Sequence, residues 1–165
     1  MIRPRGGNFI YSDEEFEQMK KDIPHFKKMN ANGFVFGILN EDGSVNVNRS
    51  KELVELANPL PCSFHRAFDV SNNLLKNLED VIECGLKTIL TSGQTKSAME
   101  GVEQLKQLVE HSKDRIVIMP GGGVRSSNIE LLKEQVTTSY YHSSAIVKDD
   151  VADLQEVKLL KEKVS

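Results

Sequence analysis

Apolar and polar positions in this chain alternate on two scales. Short apolar runs end in a polar or glycine-rich tip at residues 2–7, 34–37, 63–69, 89–93, 116–123 and 141–145, and each is followed by a stretch of helical periodicity. Six strand-then-helix units in succession predict an α/β fold whose parallel strands are joined by right-handed crossovers. That is the rhythm of a (β/α) barrel, in which every strand tip opens on one face and polar groups remote in sequence meet there. A closed barrel of this kind has eight strands, so the pattern predicts an incomplete barrel of about six βα units in a single domain, residues 1–165.

The helical stretches carry start signals. Ser12 with Glu15, Ser97 with Glu100 and Ser127 with Glu130 each have capping-box spacing. In the first stretch Phe16, Met19, Ile23, Phe26 and Met29 recur at three and four residues, and Pro24 inside that stripe predicts a kink or a division. Leu74, Leu75, Leu78, Val81 and Ile82 form a later stripe that closes at Gly85. Residues 149–164 place Leu154, Val157, Leu160 and Val164 at helical spacing, which predicts a final amphipathic helix. At the other end, Met1-Ile2 begins directly in a strand, which points to missing upstream units.

Composition narrows the function classes. A net charge of -3, with Lys and Arg spread along the chain, provides no basic stripe for nucleic acid. Apolar runs stop at about eight residues, too short to span a bilayer. The N-terminus lacks the order of a secretory signal, so a soluble, cytoplasmic protein is expected. The two cysteines, Cys62 and Cys84, are too few for a disulfide framework or a Cys-x-x-Cys knuckle and read as small buried residues, with no metal ligand identified.

The tips hold the candidate chemistry. His65 with Asp69 has the make-up of a general base and the carboxylate that fixes its tautomer, or else of a structural network that includes Arg66. Strand alternation through this tip would put Ser63, His65, Ala67 and Asp69 on one side. Arg3 and Arg5 would share one side of their strand, facing either an anionic ligand or a neighbouring Asp or Glu. Gly121, Gly122 and Gly123 either let backbone amides approach an anion, together with Ser143 and Ser144, or make a tight strand-to-helix turn. Thr91, Ser92 and His142 complete the polar tips, His142 being a further candidate proton carrier. His25 and His111 fall within helices and read as surface or packing residues.

Taken together, residues 1–7, 11–15, 33–37, 64–69, 89–93, 119–123 and 141–145 closely resemble, in unbroken order, the CutC copper homeostasis family. The resemblance implies a TIM-type barrel of which this chain supplies the third to eighth βα units. It also implies a link to copper, as ion or partner. The cysteines proposed as ligands in that family belong to the first two units, and neither Cys62 nor Cys84 matches them, so the resemblance identifies no copper ligand here. Its strand-tip residues Arg3, Arg5, His65, Arg66, Asp69, Thr91, Ser92, His142 and the glycine turn do match, which implies an anion-compatible pocket. The family brings no defined reaction. The readings therefore include a copper-homeostasis protein and a TIM-barrel lyase, isomerase or hydrolase of a small phosphorylated or carboxylated metabolite. A third is a non-catalytic variant that forms homo-oligomers through exposed sheet edges.

Overall fold

Four short strands carry the sheet, and their β-branched and aromatic residues explain why they form. In a computed structural model, which describes residues 1–148 and 150–164, β1 is Phe34–Phe36, β2 Cys62–Phe64, β3 Thr88–Thr91 and β4 Val117–Pro120. Their order in the sheet is that of the sequence, β1-β2-β3-β4. Pairing is parallel, with Phe34 opposite Cys62, Phe36 opposite Phe64 and Phe64 opposite Ile89. Phe34, Cys62, Phe36, Phe64 and Ile89 are all buried, so this alternation puts one row of each strand in the core.

The two outer tips contribute a single ladder bond each. Ile2 N–H donates to Val35 O (2.8 Å), and the next donor on that edge would be residue 4, a proline without an N–H. At the far end His142 N–H donates to Pro120 O (2.9 Å), but the following acceptor, Gly122 O, is taken by Ala98 N–H (2.9 Å). Both segments therefore run beside the sheet without extending it.

The chain forms two compact units, Met1–Ile89 and Leu90–Ser165. In the first, α1 (Asp13–Lys28), α2 (Val47–Ala57) and α3 (Leu74–Glu83) connect the strands. The capping box of α1 is complete: Glu15 N–H reaches Ser12 Oγ (3.3 Å) and Ser12 N–H reaches Glu15 Oε2 (2.9 Å). Phe16, Met19 and Ile23 are its buried face. Pro24 neither ends nor divides this helix. It lies on the exposed side, where water can take the carbonyl that Pro24 leaves unpaired. Gly85, with φ +83°, stops α3 as expected.

The second unit holds α4 (Val102–Ser112), α5 (Ile129–Gln135) and α6 (Leu154–Val164). Ser97 and Glu100 do bond to each other, but in a turn ahead of α4, whose N-cap is Gly101. The expected Ser127 cap is not formed: the N-cap of α5 is Asn128, and no side chain caps the helix. Asn128 Oδ1 instead accepts from Arg125 N–H (2.9 Å), which tightens the loop before the helix. The last helix corrects the amphipathic expectation. Its buried residue is Glu156, while Leu154 and Val157 are 70% and 43% exposed. It docks through polar tethers, Glu156 to Ser126 and Lys163 to Glu130, which fix a helix face without needing an apolar stripe. Asp149, where the sequence pattern starts this helix, lies outside the described residues.

Candidate functional site

The first unit gathers its polar groups beyond β1 and β2. Strand β2 ends at Phe64, and residues Arg66–Val70 turn into a 3-10 helix with His65 as N-cap, so strand alternation through Asp69 does not hold. The cause is local: His65 Nδ1 accepts the Ala67 N–H (3.2 Å) and closes the first turn. Asp69 pairs with Arg66 (2.6 Å) across that turn. The bond that would orient His65 as a base is thus supplied by backbone.

Because Nδ1 is an acceptor, the ring's proton resides on Nε2. That Nε2 is buried and has no hydrogen-bond partner. Burial, reinforced by the charge of Arg3, lowers the His65 pKa to about 4, so the imidazole is neutral at physiological pH. His65 packs against Phe9, ring centroids 4.9 Å apart, and the Arg3 guanidinium lies 4.6 Å from the centroid of the same Phe9 ring.

Residues 3–11 wrap around two arginines. Arg3 Nη2 donates to Gly7 O (2.8 Å), while its Nε is buried without a partner. Arg5 is consumed by the fold: Nε to Glu15 Oε1 (2.6 Å), Nη1 to Gly6 O and Asn8 O (3.1 Å each), and Nη2 to Ile10 O (2.7 Å). Tyr11 follows this loop and is buried. Its hydroxyl sits beside the Arg3 side chain, which favours its charged form, and finds no further partner. Burial raises its pKa, against the opposing charges of Arg3 and Arg5.

The second unit uses its tip residues to hold loops. Thr91 Oγ1 accepts Gly93 N–H (2.9 Å), and Ser92 Oγ donates to Thr95 O (2.6 Å). Gly121 N–H donates to Thr91 O, and Gly122 and Gly123 take φ of +97° and +71°. Ser143 and Ser144 both accept from Arg125 (3.3 and 3.4 Å), a residue the tip pattern had not singled out. Arg125 also donates to Val124 O and Ile146 O. His142 is exposed.

Arg3 and His65, two of the expected tip residues, both contact Phe9. Phe9, Tyr11 and Gly37 are not among the candidate site residues drawn from the sequence. Gly37 belongs because a side chain there would strike the imidazole, its Cβ lying 2.6 Å from His65 Nδ1. Tyr11 precedes the Ser12 cap at the position of a hydrophobic staple, which reads as packing and hides its hydroxyl.

The family model of CutC matches residues 1–147. The chain belongs to the CutC family. Curated members include the copper homeostasis protein cutC homologs of Mus musculus and Homo sapiens, 46% and 45% identical over 145 residues, matches that cover 88% of this chain and 53% of each relative. The Caenorhabditis elegans homolog is 40% identical over 162 residues, covering 98% of this chain and 65% of its own. The chain therefore spans about half to two thirds of the length of these family members. Among solved structures, CutC of Streptococcus agalactiae superposes with a TM-score of 0.81 at 32% identity, over 86% of this chain and 69% of that one. A KDPGal structure superposes with a TM-score of 0.59 at 13% identity over 96% of this chain and 69% of that one, a likeness of fold alone. Both fit an incomplete TIM-type barrel.

Copper, the metal in the relatives' names, meets no fitting cluster of imidazole, thiol or carboxylate donors among the described residues, where no group of three His, Cys, Asp or Glu side chains is placed to hold a metal ion. Cys62 and Cys84 are buried free thiols, pushed by burial up to about 11 and about 12, and so far from the thiolate a metal requires. Among the described residues no helix is long and apolar enough to cross a membrane.

Proposed function

We propose that this chain serves copper homeostasis in the cytoplasm by binding a small anionic molecule at its strand tips, and that it supplies no copper ligands of its own. The observation that carries this reading is the cluster of Arg3, Tyr11 and His65. Each has a buried polar atom without a partner, and one of them is a permanent cation. An unsatisfied buried polar atom costs about 1 to 3 kcal/mol, so three in one place are best explained by a ligand that pairs with them. The family relatives support the copper connection by name, and the two buried thiols suit a reducing compartment.

The neutral His65 favours a second reading, an enzyme acting on a carboxylated or phosphorylated metabolite. A neutral imidazole that donates from Nε2 can polarise a carbonyl oxygen. The test common to both is thermal unfolding of the chain across acetate, pyruvate, phosphate and sulfate. A ligand should raise the melting temperature of the native chain and not that of Arg3→Leu. If no anion in the panel raises it, the reading fails.

A further inference from the structure

The donor set at this site selects among anions. Arg5 is neutralised by Glu15, and Arg66 by Asp69. Arg3 makes no ion pair among the described residues, and the Met1 amino group also acts on His65. What selects a carboxylate is the planar guanidinium fork of Arg3, which matches two carboxylate oxygens. The other two unpartnered atoms are neutral donors. His65 Nε2 carries a proton because Nδ1 accepts from Ala67, and Tyr11 keeps its phenolic proton. Phe9 contacts both the Arg3 guanidinium and the His65 ring, so one aromatic ring borders a charged and a neutral donor.

Building on the anion-binding reading above, we propose that the site takes a small monocarboxylate with a carbonyl or hydroxyl oxygen adjacent to the carboxylate. Arg3 receives the carboxylate, and His65 Nε2–H and Tyr11 Oη–H receive the adjacent neutral oxygen. A ligand lacking that oxygen leaves both donors buried and unpaired, so the site discriminates against it. Arg3 contributes affinity, and His65 and Tyr11 contribute selectivity.

Calorimetric titration of the 165-residue chain with pyruvate, lactate, propionate and inorganic phosphate tests this. Pyruvate or lactate should bind at least tenfold more tightly than propionate, and phosphate more weakly than either. Tyr11→Phe should narrow the gap to propionate while keeping or raising the melting temperature, because the buried unpartnered hydroxyl is gone. Equal binding of propionate, or a Tyr11→Phe variant that loses melting temperature with the gap intact, overturns the proposal. Tighter phosphate binding also overturns it but leaves the anion-binding reading standing. Failure of all four to bind removes both.

Discussion

Gly37 and His65 fit against each other so closely that a Cβ at position 37 would lie 2.6 Å from His65 Nδ1 and 2.8 Å from Cε1. The end of β1 therefore sets where the imidazole of the next tip can stand. Since Nδ1 is also committed to Ala67, the ring can neither slide away nor flip without losing a bond. Gly37→Ala should lower stability by about 1 to 3 kcal/mol, the usual penalty for overpacking a filled interior. Urea denaturation of the two chains measures it, and an unchanged midpoint would mean that the ring moves freely.

His65 also makes stability depend on pH. Its folded pKa of about 4 lies below the ordinary 6.5, so between these values the unfolded chain binds a proton that the folded chain refuses. Stability therefore falls as pH drops from about 6.5 towards 4 and levels off below, by roughly 3 kcal/mol at most. Comparing denaturation midpoints at pH 7 and pH 5 checks the sign. His65→Gln should remove most of the difference.

The docking of α6 has a dependence of the same sign, in a lower pH range. Glu156 accepts from Ser126 Oγ–H and N–H (2.7 and 2.6 Å), and these bonds hold its pKa below the ordinary 4.5. The tether is complete above that value and is lost as pH falls through the lowered one. Protection of the α6 amides, measured against their intrinsic exchange rates, should fall as pH drops below the ordinary 4.5, and Glu156→Gln should show reduced protection already at pH 7. Equal exchange in the variant would show that the exposed helix is held by other contacts.

Burial of both thiols predicts slow chemistry. Cys62 and Cys84 should resist a thiol reagent at neutral pH in the folded chain and react in full after unfolding. Rapid labelling of the native chain would bring either sulfur back as a copper donor.

The sequence pattern revealed the order of elements because strands and helices here follow their own periodicities, and the Ser12–Glu15 box marked the start of α1 within a residue. It misread the segment after Phe64, since alternation of apolar residues cannot distinguish a continuing strand from a turn closed by His65 accepting from Ala67. Arg3 and Arg5 looked alike at two-residue spacing. Only the path of residues 6–10 decides that carbonyls surround Arg5 while Arg3 keeps a free Nε. In α6 the apolar spacing is genuine, but the carboxylate of Glu156, thirty positions from its partner, decides which face docks.

Nitrogen-detected resonances of the Arg3 Nε–H and His65 Nε2–H groups, followed by NMR while pyruvate is added, test the site most directly. Both signals should shift together and saturate, with little change at Arg125 or Ser126 in the second unit. Shifts confined to the Arg125 loop, or none at Arg3 and His65 while the ligand demonstrably binds, would contradict an anion site at these two residues.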